Sequence, residues 1–243
     1  RDPWPADEPR FALVAQDMLR SGDWMFPRVG GDLYADKPPV FFWLMAAAMA
    51  LTGSLRLGFL LPSLLAGIGS VLLVYDLLRR VRGRGVALAG GLVLLLTFQF
   101  VWQFRQAQID GVLCFFTTLS LYGLLRHLFA GPGIGWFYVG WFAAGIGVIT
   151  KGVGFLPLLL LIPFVLLAAR RWPTTVPHRD SRWWLGPVFF LGAIALWFVP
   201  MMLVTSAGGE LLAAVPVSVQ PGQGVNHGPV SGIVGAEGER LQD

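Results

Sequence analysis

Six apolar runs, at about 57–78, 86–103, 111–128, 136–150, 153–169 and 184–205, leave this chain few ways to fold. A helix rises 1.5 Å per residue, so about twenty residues cross a hydrocarbon core about 30 Å thick. Within such a core only helices and closed barrels pair every backbone N–H and C=O. The runs read as about six transmembrane helices, the one at 136 being short enough to borrow flanking residues. Composition agrees: 55% of residues are hydrophobic, 13% are charged and mean hydropathy is +0.65, too apolar for a soluble domain of this length. The expected fold class is all-α, a multi-pass helical integral membrane protein.

A net charge of +4 raises the question of nucleic acid, and the charge pattern answers it. Arginines cluster in short loops between apolar runs and form no stripe with interleaved aromatics, so no nucleic-acid partner is expected. They are topology signals instead, because cytoplasmic loops collect basic residues near span ends. Arg79, Arg80, Arg82 and Arg84 form one such loop, and Arg170, Arg171, Arg179 and Arg182 form another. The four runs between them give the even number of crossings that places both loops on one side. The same count puts the 104–110 connection, Lys151, the tail and everything before residue 56 on the outer face. The fifteen-residue apolar stretch at 39–53 is too short to cross and reads as a helix lying at the outer surface.

Half of the fourteen acidic residues, seven of them, fall within the first 36 positions. Asp76 has Arg79 and Arg80 at helical i+3 and i+4 spacing, which predicts an ion pair at a helix end. Asp110, in FRQAQIDGVLCFF, admits two readings. A carboxylate at the mouth of a span marks a functional site, and the same residue before GVLCFF suits a helix cap. Its nearest cation in sequence is Arg105. Sixteen of the cationic residues are arginine, and the two lysines, Lys37 and Lys151, both fall on the outer face. A compact ammonium suits a point contact to a phosphate oxygen, while Lys151 also fits a side chain snorkelling between two helices.

Other features carry less. Cys114 is the single cysteine, so no intrachain disulfide forms. His127, His178 and His227 show no paired metal spacing, and the tryptophans sit near span ends as an aromatic belt does. The glycine-rich pieces RGRG, GPGIG and AGG read as loop punctuation or small-residue helix contacts. Residue 1 opens a polar segment without an initiator Met, from which an upstream helix is expected.

The stretch ADEPRFALVAQDMLRSGDWMFPRVGGDLYADKPPVFFWLMA resembles the first outer loop of GT-C type glycosyltransferases that use polyprenyl-phosphate sugars. That family includes the lipid A aminoarabinose transferases and the related protein O-mannosyltransferases. The ordered run is Asp-Glu, Arg-aromatic-Ala, Ser-Gly-Asp-Trp, then Gly, Tyr and Lys-Pro-Pro before an aromatic patch. FRQAQIDGVLCFF and GVITKGVGFLPLLL are similar to its second acidic motif and its Lys-Gly step, so the likeness covers about residues 6–165. The resemblance implies that Asp7 is the catalytic base, with Asp110 of the second acidic motif a further catalytic candidate, and that Lys37 holds the lipid phosphate. Arg105 and Lys151 join Lys37 as candidate donor-phosphate ligands, and Glu8 and Tyr34 as substrate-binding candidates. Asp36 stands where the family often has Glu, a position tied in some members to a metal, so a divalent metal is a candidate cofactor at Asp36 and no other cofactor is implied.

Transfer from a polyprenyl phosphate needs one carboxylate to take the acceptor proton and fixed positive charge against the departing phosphate. Phosphate leaves without a proton donor, so a single inverting displacement is the simplest expectation. The implied partners are the polyprenyl-phosphate sugar donor, a lipid, protein or glycan acceptor, and membrane lipid. The implied location is the bacterial inner membrane, with the active site facing the periplasm. Three parts are expected: an outer loop over 1–55 with interfacial helices and the acidic motif, a transmembrane bundle over 56–205, and a non-spanning tail over 206–243. The tail departs from the family's pattern and reads as disordered or aberrant, which leaves an inactive truncated pseudoenzyme as one rival. A transporter or flippase fragment, with Asp110 and Lys151 lining a path, is the other.

Overall fold

The computed structural model describes residues 8–29, 32–34, 37–131, 133–169 and 181–214. Helix dominates. Helix α1 spans Glu8–Ser21, and the two-residue strands β1 (Arg28–Val29) and β2 (Asp32–Leu33) pair antiparallel, Arg28 opposite Leu33. They are followed by α2 (Val40–Thr52), α3 (Leu55–Arg82), α4 (Arg84–Leu96), α5 (Phe98–Phe104), α6 (Ile109–Phe129) and α7 (Ile134–Lys151). A 3-10 segment at Val153–Leu160 leads into α8 (Leu161–Ala169), and another at Ser181–Trp184 leads into α9 (Leu185–Ala214). Contacts group Arg1–Thr205 into one unit and Ser206–Asp243 into a second, of which only the end of α9 is described.

By length and hydropathy, four helical stretches among the described residues are long enough to cross a membrane: Leu55–Arg82, Ile109–Phe129, Ile134–Lys151 and Ser181–Ser206. The run at 86–103 makes a fifth if α4 and α5 count as one span, although they meet at Thr97 with a bend of 68°. The run at 153–169 differs from its sequence reading. Gly152 takes φ +76° and Pro157 interrupts the ladder, so the chain winds as 3-10 helix before α8 and leaves a shorter apolar helix, Val153–Leu167. The molecule is a multi-pass helical membrane protein.

Pairwise contacts fix the directions of the helices. Ser63 of α3 lies against Gly111 of α6, Gly69 against Phe115, and Asp76 hydrogen-bonds Tyr122, so α3 and α6 run parallel. The bent α4–α5 pair supplies the return between them. Helix α7 then comes back antiparallel to α6 across a glycine contact. A Cβ on Gly123 would stand 2.4 Å from the Trp136 carbonyl oxygen, and one on Gly140 would stand 2.9 Å from the Ser120 carbonyl oxygen. Only glycine lets two backbones approach this closely. Helix α9 runs parallel to α7, with Gly186 against Trp141 and Ala193 against Gly145.

One end of the bundle therefore gathers the starts of α3 and α6 and the end of α7. There the buried core forms. Helix α1 is amphipathic, placing Phe11, Val14, Ala15 and Met18 on one face. That face packs on Phe41, Phe42 and Met45 of α2, and the cluster continues through Phe59 of α3 to Phe104, Ala107, Ile109 and Val112. The Phe11 ring meets Phe41 and Phe42 edge-on at 5.8 and 5.7 Å. The opposite end carries Arg79, Arg80, Arg82 and Arg84. There Asp76 accepts from Arg79 (3.1 Å), Arg80 (2.6 Å) and the Tyr122 hydroxyl (2.6 Å). Arg126 donates to that same hydroxyl and lies 4.2 Å from the Trp136 ring centroid.

Candidate functional site

The loop from α1 to α2 is shaped by its own residues. Gly22, at φ +71°, ends α1 with its N–H on the Met18 carbonyl, and Asp23 Oδ1 then accepts from the N–H groups of Met25 (3.1 Å) and Phe26 (3.2 Å). This accounts for the Ser-Gly-Asp-Trp motif as a helix stop followed by an Asx turn. Two indoles hold the loop down: Trp43 Nε1 donates to the Trp24 carbonyl and Trp197 Nε1 to the Met25 carbonyl. Tyr34 returns along this loop with its N–H on the Pro27 carbonyl at 2.7 Å and its half-buried ring edge-on to Phe42. Pro39 caps α2, so Lys37 stands three residues ahead of the first helical residue. Lys37 is half-buried and has no hydrogen-bond or ion-pair partner among the described residues.

The second half of the site comes from the turn between α5 and α6. Asp110 is not the cap of α6. The helix starts at Ile109 with Gln108 as cap residue, and Asp110 lies in the first turn, where a carboxylate faces the positive end of the helix dipole. Its Oδ1 takes a hydrogen bond and ion pair from Lys151 Nζ, at the last residue of α7. Antiparallel pairing of α6 and α7 produces this meeting across 41 positions of sequence. Arg105, the nearest cation in sequence, instead ends α5 and is exposed. It stands on the rim of an apolar cavity of about 320 Å³ between α3 and the bent pair, lined by Leu64, Ile68, Leu72, Leu95 and Phe104 among others.

Glu8 opens α1 and is 2% exposed, with Oε1 accepting the Ala107 N–H at 2.7 Å. This contact joins the acidic motif to the 105–108 turn across 99 positions, and no local spacing foretold it. The structure thus brings Glu8, Ala107, Asp110 and Lys151 to one end of the bundle, with Lys37 leading into α2 at the same end. Asp7 and Asp36 lie outside the described residues. Among the described residues no group of three or more His, Cys, Asp or Glu side chains is arranged to hold a metal.

A sequence profile described as dolichyl-phosphate-mannose-protein mannosyltransferase matches residues 36–201. The undecaprenyl phosphate-alpha-4-amino-4-deoxy-L-arabinose arabinosyl transferase of Pseudomonas aeruginosa strain UCBPP-PA14 is 36% identical over 176 residues, which covers 70% of this chain and 32% of the relative. The chain thus spans about a third of that relative's length. A protein of Aquifex aeolicus without an assigned function is 32% identical over 192 residues. Among solved structures, ArnT from Cupriavidus metallidurans in the apo state superposes with a TM-score of 0.74 at 25% identity, covering 89% of this chain and 41% of that one. The same protein bound to undecaprenyl phosphate superposes with a TM-score of 0.72 at 25% identity, covering 86% and 38%. With two thirds of its length inside the profile match and the bundle shared with ArnT, the chain belongs to the dolichyl-phosphate-mannose-protein mannosyltransferase family of glycosyltransferases.

Proposed function

We propose that this chain carries the outer-face catalytic end of an inverting glycosyltransferase that moves a sugar from a polyprenyl-phosphate donor to a lipid, protein or glycan acceptor. Family membership supports the reaction class, and the undecaprenyl phosphate bound by the Cupriavidus relative supports the donor. The observation that carries the reading is the meeting of Asp110 and Lys151 at the end of the bundle where Glu8 and Lys37 also lie. Asp7 takes the proton of the acceptor hydroxyl as its oxygen attacks the anomeric carbon. The bond from that carbon to the phosphate oxygen breaks, and its electron pair leaves with the phosphate.

Lys37, with no partner among the described residues, meets the phosphate at headgroup depth. Arg105 and Lys151 supply further positive charge as the phosphate departs. Asp110 holds Lys151 in place until the donor arrives and contributes negative charge beside the sugar, while Tyr34 lines the approach to Lys37. The apolar cavity under Arg105 offers the prenyl chain a place beside its charged head. The site faces the periplasm across a bacterial inner membrane.

The transporter alternative calls for ionisable groups near mid-membrane. Asp110 and Lys151 sit at one end and Asp76, Arg79, Arg80 and Arg126 at the other, and the break between α4 and α5 at Thr97 bears no ionisable residue. The full-length protein in nanodiscs, incubated with a labelled polyprenyl-phosphate sugar and acceptor lipid, provides the test. Lys37→Ala is expected to lower turnover by about 10²–10³-fold, the cost of losing one preorganised charge contact, with an unchanged melting temperature. Unchanged turnover in that variant, or lipid-independent solute uptake by the parent, overturns the reading.

A further inference from the structure

We infer that Glu8 is a positioning residue: its buried carboxylate fastens the start of α1 to the α5–α6 turn, and so holds in place the turn that leads into Asp110 and its partner Lys151. An acid that binds substrate must be reached by substrate, whereas Glu8 is 2% exposed. It sits in the first turn of an amphipathic helix whose apolar face is already packed on α2. Its Oε1 accepts a backbone N–H rather than a side chain, so the contact reads the position of the polypeptide itself.

The N–H in question belongs to Ala107, between Phe104, where α5 ends, and Ile109, where α6 begins. Ala107 is itself buried, so without Glu8 its N–H would be left without that partner out of reach of water. Three residues further on is Asp110, already held by Lys151. On the other side of the contact, Asp7 is joined to Glu8 by a peptide bond. One hydrogen bond therefore couples the first turn of α1 to the turn that carries Asp110, across 99 positions of sequence. The Gln103 amide donating to the Gln108 side chain at 2.7 Å braces the same turn from within. The catalytic side of this inference rests on the transferase reading; the mechanical side does not.

Two substitutions separate reach from charge. Glu8→Gln keeps an oxygen at the same reach and loses the charge, while Glu8→Asp keeps the charge and draws it back by one methylene. Hydrogen exchange of the 104–110 segment, followed by mass spectrometry on the full chain in nanodiscs, reads the fastening directly. Exchange there is expected to rise by about tenfold or more in Glu8→Asp and by less in Glu8→Gln, with α9 peptides unchanged in both as the measure of intact fold. In the full-length enzyme kcat is expected to fall further in Glu8→Asp than in Glu8→Gln, toward the about hundredfold loss that misplacement causes, with the donor KM held.

A reversed order, Glu8→Gln worse than Glu8→Asp in turnover, means that the charge acts on substrate and overturns the positioning role. Unaltered exchange in Glu8→Asp overturns the fastening. If the parent shows no transferase activity, the exchange experiment still decides the mechanical claim, so its failure and the failure of the transferase reading are told apart.

Discussion

The Asp110–Lys151 pair, to which the proposed reaction gives a chemical role, contributes little to stability. Its two side chains are 47% and 40% exposed, and a pair so placed contributes about 0.2–1 kcal/mol. Lys151→Met is accordingly expected to move the melting temperature very little while lowering turnover of the full-length enzyme at least as far as one lost charge contact does, about a hundredfold. A differential scanning trace beside a transfer assay checks both halves. Sequence reading found both residues through their chemistry, an acid at a span mouth and a lysine in an arginine-rich chain. It could not join them, because they are 41 positions apart and the nearer cation, Arg105, competed for the role. The cap reading of Asp110 failed for a local reason: Gln108 takes the extended cap conformation, which moves the acid into the first turn. Glu8 was singled out by its motif, yet its hold on Ala107 depends on how α1 settles against α5 and α6, and nothing near residue 8 encodes that.

At the scale of elements, hydropathy located the long helices and could not see where they break. The Thr97 bend falls inside an unbroken apolar run, and Thr97 Oγ1 hydrogen-bonds the Val93 carbonyl there, a local contact that hydropathy does not register. At 153–169 the glycine and the proline were visible, but their effect on helix type follows from tertiary packing. Gly154 lies so close to Gly147 that a Cβ would meet backbone at 2.0 Å, which joins the 3-10 segment to α7. Helices α6 and α7 touch in the same manner, and this gives a firm expectation. Gly140→Leu must push Leu124 and the Ser120 carbonyl aside, and overpacking of this kind costs about 1–3 kcal/mol. Because α7 carries Lys151 on its last turn, the substitution is expected to lower both the melting temperature and the yield of a disulfide between cysteines placed at 110 and 151, with Cys114 replaced by alanine.

Over the whole molecule, the helix directions make a prediction about sidedness. Since α3 and α6 run parallel, residues 37, 110 and 151 belong at one end and Arg84 at the other. Single cysteines at 37 and 151, in a background lacking Cys114, should react with an impermeant maleimide added outside sealed cells. A cysteine at 84 should react only after lysis. The counting of arginine-rich loops sorts the described residues to the same two ends of the bundle, because charge bias is a property of whole loops and survives errors of several residues in each boundary; which end faces outward is what the labelling decides. The two ends are also joined differently. At the arginine end, a carboxylate, a phenol, an indole and several guanidinium groups interlock three helices. At the other end, above the buried core, the last turn of α7 is tied to α6 by one exposed lysine and one exposed aspartate, a surface contact that dissolved ions weaken. On the proposed reaction a bulky amphiphile slips in at that rim, so the ionic strength of the surrounding medium would act as a dial on how often this one surface tie stands ajar.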